Sequence, residues 1–285
     1  MVKLFLFFII VALVDSASYK PVFIIHGIMT GGDSMEGLKS RIEEKHPSTI
    51  VYATHRFEGW SSLENMWHQV EELGNDLLNM SSQYSDGIHL IGYSQGALIA
   101  RGILQLYPNH NVKRFISLSG PQAGQYGTSF LHIIFPGIAL KTAFELFYSH
   151  VGQHTSIGNY WNDPYHQVLY YNYSEFLPYV NNEKLSNGSD IFKLSLIKLE
   201  KLVLIGGPDD NVITPWQSSH FGYFAENNDT VINFKNRDIY TKDSIGLKTL
   251  DAKNKLVIVT VPDVNHFMWH KDIEVIDKYI LPYLD

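Results

Sequence analysis

The sequence predicts an α/β fold in which a mostly parallel sheet is covered by helices on both faces. Apolar runs of strand length alternate along the chain with segments of helical periodicity, which is typical of parallel strands joined by crossover helices. The apolar runs are continuous, as expected for strands that are buried on both faces. With 285 residues, 45% of them hydrophobic, the chain is long enough to form a single domain with a large core.

The predicted strands follow these apolar runs: Val22 to Ile25, Thr49 to Ala53, Ile88 to Ile91, Arg114 to Leu118, Leu202 to Ile205 and Leu256 to Val261. A helix is predicted between the second and third strands. Its signals are the capping-box spacing of Ser61 and Glu64 and a single apolar face that runs from Leu63 to Met80. Further helices are expected from about Met35 to Glu44, Gln95 to Leu106 and Ile273 to Ile280.

The segment from about residue 125 to 200 breaks this alternation and is rich in aromatic residues. A stretch of that length inside a compact fold is usually an inserted cap rather than a loop. Its aromatic side chains either pack on one another in a helical subdomain or line a groove for a long apolar ligand. We therefore expect one domain over residues 18–285 with an inserted helical cap.

The composition excludes several classes of protein. The chain has no cysteine, so a disulfide scaffold and any cysteine-ligated zinc or iron-sulfur site are ruled out. With 22 basic and 29 acidic residues the net charge is −7, which provides no excess of cations for a nucleic-acid backbone. The counts of 21 glycines and 11 prolines are too low for a collagen-like chain. We expect no cofactor, no metal and no nucleic-acid partner.

The N-terminus has the pattern of a cleavable secretory signal. Lys3 precedes an apolar run from Leu4 to Val14, and small residues follow around Ala17. The run is shorter than the roughly 20 apolar residues that span a bilayer, so a transmembrane anchor is not expected. The alternative is a buried N-terminal strand or helix. We predict a signal peptide over residues 1–17 and entry into the secretory pathway.

Four Asn-x-Ser/Thr sequons become candidate glycosylation sites if the chain is secreted: Asn79, Asn172, Asn187 and Asn228. Asn187 and Asn228 lie in polar, loop-like stretches, and we favour these two as glycan carriers.

The segment Gly92-Tyr93-Ser94-Gln95-Gly96 is a GxSxG motif placed between an apolar strand and an apolar helix. In this context the serine sits on a sharp turn with its hydroxyl exposed at the top of the sheet. The flanking glycines allow the strand and the helix to approach each other without a side-chain clash. The motif predicts that Ser94 is a nucleophile.

A serine nucleophile needs a base to remove its proton and a third group to orient the base. The fifth predicted strand is followed by Asp209 and Asp210 and the last one by Asp263 and His266, in the order serine, acid, histidine. We predict His266 as the base and interpret Asp263 as a turn carboxylate, while spacing leaves Asp209 and Asp210 open. His270 could form a metal pair with His266, but no third ligand is evident. We interpret it as a surface or supporting residue on the following helix.

The oxyanion of the tetrahedral intermediate needs two backbone N–H donors. Gln95, directly after the nucleophile, is one candidate, and Ile28 in the loop after the first strand is the other. His26 in the same loop is interpreted as a structural residue.

Several longer segments together resemble the palmitoyl-protein thioesterases. They are HGI at 26–28, GYSQG at 92–96, SGPQAGQYG at 119–127, GGPDDNVITPWQSS at 206–219, YTKDSIGLKTLD at 240–251 and NHFMWH at 265–270. The resemblance covers nearly the whole chain after the signal segment. The PDD and VITPWQSS residues are closer to the second, lysosomal type than to the first.

The resemblance implies an α/β-hydrolase fold with Ser94 as nucleophile, Asp210 as orienting acid and His266 as base, which selects Asp210 over Asp209. It also implies oxyanion donors at Ile28 and Gln95, and an insert after the fourth strand that helps to hold a fatty acyl chain. The expected activity is hydrolysis of long-chain fatty acyl thioesters of acyl-CoA or of S-acylated peptides and proteins. The implied location is the lysosome lumen, with the extracellular space as the alternative.

Two other functions fit the same residues. A lipase or carboxylesterase acting on oxoesters would use the same triad, and a catalytically silent lipid-binding relative would not need it intact. The chain departs from familiar animal members of the family, which carry cysteines in the loop after the first strand. Here that loop reads Met29-Thr30-Gly31-Gly32. This difference concerns stability and loop rigidity, because no catalytic position is lost.

Overall fold

The computed structural model describes residues 19–127, 132, 137 and 140–285. The predicted signal peptide, residues 1–17, lies outside the described residues. Within them, no helix has both the length and the apolar character needed to cross a membrane.

Six strands form one parallel sheet in the order β2-β1-β3-β4-β5-β8. They are β1 Val22–Ile25, β2 Val51–Ala53, β3 Ile88–Tyr93, β4 Val112–Leu118, β5 Lys201–Gly206 and β8 Leu256–Thr260. The six predicted strands are therefore present, although β2 begins two residues later than predicted and β3 runs on to the residue before Ser94. A short antiparallel ribbon, which the sequence analysis did not predict, is formed by β6 Tyr223–Phe224 and β7 Val231–Ile232.

Helices cover both faces of the sheet, as predicted. Successive strand residues point to opposite faces, so Phe23 and Val22 of β1 belong to two different core clusters. On the Phe23 face the core is completed by α2 (Met66–Ser81) and α3 (Gln95–Leu106). On the Val22 face it is completed by α1 (Glu36–Lys45) and by the C-terminal residues from Val261 onward.

The start of α2 differs from the prediction. The helix begins at Met66 instead of Ser61, and Asn65 is its N-cap, with a side chain that accepts a backbone N–H of the first turn. The predicted capping box is therefore wrong. Glu64 instead forms an isolated antiparallel bridge with Thr155 of the insert. The residues before Glu64, Gly59–Leu63, form a separate 3-10 helix.

Between β4 and β5 the described residues form a series of short helices. They are α4 Leu140–Phe147, α5 His150–Gln153, α6 Ser156–Tyr160, α7 Gln167–Tyr173, α8 Leu177–Val180 and α9 Ser189–Leu196. Aromatic residues of this insert, including Tyr160, Trp161 and Phe176, are buried in the same cluster as α2 and α3. Others, including Phe144 and Tyr173, line a cavity of about 450 Å³. The insert thus contributes its aromatic side chains both to the core and to an open cavity.

Arg101 of α3 connects the insert to the core through hydrogen bonds. Its buried guanidinium donates to the side-chain oxygen of Gln122 at 2.7 Å, to the Val180 carbonyl at 2.9 Å and to Asn181 Oδ1 at 2.9 Å. Burial lowers the pKa of Arg101 to about 9. Because these acceptors are neutral, the charge is stabilised by hydrogen bonds that join three segments of the chain.

Burial lowers the pKa of four histidines to about 4: His89, His110, His220 and His270. A depressed histidine pKa costs no stability while the ring is neutral in the unfolded chain as well. Below about pH 6.5 the unfolded chain takes up protons that the folded chain excludes. Stability is therefore complete above that pH and is lost progressively as the pH falls toward 4.

We expect the thermal unfolding midpoint to fall as the pH is lowered from about 7 to about 4, with each buried histidine costing up to ~3 kcal/mol. His110→Asn removes one titrating ring while keeping an acceptor for the Val112 N–H, which His110 Nδ1 accepts at 3.2 Å. Its midpoint should depend less steeply on pH, whereas His154→Gln, at an exposed position, should match the wild type. Calorimetric scans across this pH range check the expectation, and a pH-independent midpoint would contradict it.

Candidate active site

Ser94 lies on the turn between β3 and α3, at the carboxyl edge of the sheet. Its backbone has φ 54° and ψ −125°, outside the regions that non-glycine residues prefer. The neighbouring glycines make this turn possible. A Cβ atom at Gly96 would lie 2.3 Å from the His26 carbonyl oxygen, and one at Gly92 would lie 2.4 Å from Ala97 Cα. The tight contact between strand and helix therefore requires glycine on both sides of Ser94.

The structure brings together the serine, a histidine and a carboxylate that the sequence analysis predicted. His266 Nε2 lies 3.0 Å from Ser94 Oγ, and His266 Nδ1 lies 2.8 Å from Asp210 Oδ2. Asp210 follows β5 and His266 follows β8, and all three side chains are buried. In this arrangement the imidazole can accept the Ser94 proton at Nε2 while Nδ1–H donates to the carboxylate.

The other two candidate carboxylates lie elsewhere. Asp209 and Asp263 are both exposed, and Asp209 Oδ2 accepts the backbone N–H of Asp263 at 2.8 Å. The two residues thus join the loops after β5 and β8. Asp210 is the acid that contacts His266, so the structure separates two neighbours that spacing could not.

The Asp210 carboxylate accepts hydrogen bonds on both oxygens. Oδ1 accepts the backbone N–H groups of Val212 and Ile213, at 3.0 Å and 2.9 Å. Burial raises the pKa of Asp210, but the hydrogen bond and charge of His266 and the bonds from Ser119 and the Ile213 N–H more than offset it. The pKa therefore lies below its usual value, and the acid is ionised.

Sequence reasoning missed three residues that support the triad. The Ser119 hydroxyl donates a hydrogen bond to Asp210 Oδ2, the oxygen that also binds His266. The Trp269 indole N–H donates to the same oxygen at 2.8 Å. The Tyr93 hydroxyl donates to the His266 carbonyl at 2.9 Å. All three lie within the segments that carry the family resemblance, but nothing in their local pattern identifies these contacts.

His270 supports the site, as one of its two interpretations has it, but it lies neither at the surface nor on the following helix. It precedes the helix Ile273–Val275 and is buried, with its ring centroid 4.3 Å from that of Tyr93. Its place is therefore in the packing beneath the site. In the part of the chain that the structure describes, no group of three or more histidine, aspartate or glutamate side chains could hold a metal ion.

The two candidate oxyanion donors belong to segments that adjoin Ser94. Gln95 is the first residue of α3, so its N–H has no acceptor within the helix. The loop that carries Ile28 is also close to the nucleophile, because a Cβ atom at Gly27 would be 3.1 Å from Ser94 Cβ. The position of Gln95 and the nearness of this loop to Ser94 are compatible with the predicted pair of donors.

The loop after β1 is held by polar contacts. The Met29 N–H donates to Ser62 Oγ at 2.8 Å. The two ring nitrogens of His26 lie 2.8 Å from the Gly27 carbonyl and 3.0 Å from the Arg56 carbonyl. His26 thus binds backbone of this loop and of the segment after β2, which fits a structural role.

The asparagines of all four sequons are exposed. Asn79 lies in α2 and Asn172 in α7, whereas Asn187 and Asn228 lie between regular elements.

Comparisons with solved structures identify the fold. The chain superimposes on the carboxylesterase CesB from Bacillus subtilis with a TM-score of 0.51 at 12% identity, over 94% of this chain and 84% of that one. It also superimposes on the mature lipase BlEst2 from Bacillus licheniformis with a TM-score of 0.50 at 13% identity, over 90% and 89% of the two chains. These similarities, which concern the fold alone, confirm the predicted α/β-hydrolase architecture.

Sequence comparisons identify the family. The chain is 59% identical over 270 residues to the Lysosomal thioesterase PPT2 homolog of Drosophila melanogaster, covering 95% of this chain and 93% of that protein. It is 41% identical over 269 residues to Lysosomal thioesterase PPT2 of Homo sapiens, covering 94% and 89%. The family model described as Palmitoyl protein thioesterase matches residues 21–266. The resemblance seen in the sequence motifs is confirmed, and the chain belongs to the palmitoyl protein thioesterase family.

Proposed function

We propose that this protein hydrolyses long-chain fatty acyl thioesters through an acyl-enzyme formed on Ser94. The observation that carries the proposal is the hydrogen-bonded chain from Ser94 through His266 to Asp210 at the carboxyl edge of the sheet. Membership of the thioesterase family gives the reaction class. Substrates of this class are acyl-CoA and S-acylated peptides or proteins.

In the first half-reaction Ser94 Oγ attacks the thioester carbonyl carbon while His266 Nε2 takes the hydroxyl proton. The resulting oxyanion accepts hydrogen bonds from the N–H groups of Ile28 and Gln95. The C–S bond then breaks and the thiolate leaves, taking a proton from His266. A thiol with a pKa of about 8.5 leaves more readily than an alcohol, so this protonation matters less than it would for an oxoester.

In the second half-reaction His266 removes a proton from water, and the hydroxide oxygen attacks the acyl carbon. The bond to Ser94 Oγ breaks, the proton passes from His266 to Oγ, and the free fatty acid leaves. Asp210 remains ionised throughout and stabilises the imidazolium that forms in each half-reaction. The buried surroundings of the triad strengthen each of these interactions.

We infer that the protein works in the secretory pathway, with the lysosome lumen as its final location. The support is the N-terminal signal pattern, the exposure of all four sequon asparagines and the lysosomal names of the relatives in Drosophila and human. The insert helps to hold the acyl chain, since its aromatic residues provide apolar surface both in the core and around an open cavity.

Ser94→Ala should reduce hydrolysis of palmitoyl-CoA by at least ~10³-fold, because no other group can form the acyl-enzyme. Turnover is measured alongside labelling by a fluorophosphonate probe, with Ser195→Ala, a buried serine of α9, as the control that keeps both. Retention of activity in Ser94→Ala would remove this serine from the mechanism. A wild-type protein that hydrolyses the matched palmitoyl oxoester faster than palmitoyl-CoA would favour a lipase or carboxylesterase.

Exchange of the two neighbouring acids tests which one orients the base. Asp210→Asn should lower kcat by about 10³- to 10⁴-fold, since an amide presents the wrong partner to Nδ1–H. Asp209→Asn changes an exposed side chain of the same loop and should stay within about twofold of the wild type. Steady-state kinetics on purified variants measure both values. Equal losses in the two variants would contradict the assignment of Asp210.

Glycans are expected at Asn187 and Asn228 when the full chain is expressed in a secreting eukaryotic cell. Treatment with peptide N-glycosidase should lower the mass of the protein, and each of Asn187→Gln and Asn228→Gln should remove one glycan from the intact mass. The Asn79→Gln variant serves as a comparison at a helical sequon. An unchanged mass after glycosidase treatment would exclude glycosylation and weaken the proposed location.

A further inference from the structure

Ser119 directly follows β4 and combines two unusual features. It is fully buried, and its φ of 44° lies in the left-handed region, which glycine adopts freely and other residues adopt at a cost in strain. Its N–H donates to the Ile205 carbonyl of β5 at 2.7 Å, so the sheet holds this conformation in place. Serine is therefore less favourable than glycine for the backbone at this position. A compensating interaction has to come from the serine side chain.

The Ser119 hydroxyl donates a hydrogen bond to Asp210 Oδ2. This is the same oxygen that accepts from His266 Nδ1 and from Trp269 Nε1, each at 2.8 Å. Ser119 Oγ is 3.5 Å from His266 Nδ1, too far for a strong bond. The Ser119 hydroxyl therefore bonds to the acid, Asp210, and not to the base, His266.

The Asp210 carboxylate is held at Oδ1 by the backbone N–H groups of Val212 and Ile213. The Ser119 hydroxyl adds a donor at Oδ2, the oxygen that faces His266. A donor held by the sheet further restrains this oxygen and stabilises the negative charge in a site with little water. We propose that Ser119 is a positioning residue of this enzyme, and that its hydroxyl holds Asp210 Oδ2 toward His266. The proposal rests on the proposed hydrolase function, and it explains why serine occupies a backbone conformation suited to glycine.

Two substitutions separate the hydroxyl from the backbone strain. Ser119→Ala removes the hydroxyl and keeps a Cβ in the left-handed conformation, whereas Ser119→Gly removes the hydroxyl and relieves the strain. We expect both variants to lose about tenfold in kcat for palmitoyl-CoA, with KM changed by less than about twofold. The melting temperature of Ser119→Gly should be no lower than that of Ser119→Ala.

The matched control is Ser117→Ala. Ser117 is a buried serine of β4, and its Oγ accepts from the Gln122 side chain at 3.1 Å. This variant should keep the wild-type kcat. Wild-type turnover in either Ser119 variant would overturn the proposal, because the hydroxyl would then be dispensable.

A measurement without substrate distinguishes failure of this proposal from failure of the proposed function. Proton NMR detects the downfield resonance of the His266 Nδ1 proton in its bond to Asp210, and we expect both Ser119 variants to shift or broaden it while Ser117→Ala does not. An unchanged resonance would overturn the role of Ser119. A wild-type protein that cleaves no thioester would refute the proposed function, and the NMR comparison would still decide whether Ser119 positions the acid.

Discussion

The burial of one negative charge organises the candidate active site. The Asp210 carboxylate is buried away from water, and an unpaired charge there would be strongly destabilising. Its partners come from three places: two backbone N–H groups of its own loop, Ser119 after β4, and His266 and Trp269 after β8. Satisfying this carboxylate therefore fixes the relative positions of three loops at the carboxyl edge of the sheet. The same contacts that orient Asp210 toward His266 also hold these loops together.

The sheet supports this edge in a second way, by extending its hydrogen bonds past the ends of the strands. The Ser94 N–H donates to the last residue of β4, Leu118, at 2.9 Å, and the Ser119 N–H donates to Ile205 of β5 at 2.7 Å. Both serines have positive φ. Each unfavourable turn is thus bonded to the neighbouring strand, so stable secondary structure offsets local strain at the residues that carry the hydroxyl groups.

The features that could be predicted from the sequence are those specified by neighbouring residues. The alternation of apolar runs with helical periodicity predicted the sheet, and the glycines around Ser94 predicted its turn, because both signals lie in residues that are close together in the sequence. Asp210 could not be chosen over Asp209 by spacing, since the choice depends on which side chain faces His266, and the family motifs supplied it. The start of α2 was mispredicted because its N-cap is Asn65 and the preceding Glu64 pairs with Thr155, 91 positions along the chain. Ser119 was missed for the same reason, since its partner Asp210 is also 91 positions away.

The proposed location in an acidic lumen places different demands on the site and on the fold. The donors to Asp210 keep its pKa low, so the acid stays ionised as the pH falls. The buried histidines act in the opposite sense, because their burial excludes protons that the unfolded chain accepts. Acid therefore weakens the fold before it neutralises Asp210. A chain without cysteine has no disulfide to limit this loss of folding stability. At low pH its folded state therefore depends on the apolar core and on the hydrogen bonds by which Arg101 connects the core to the insert.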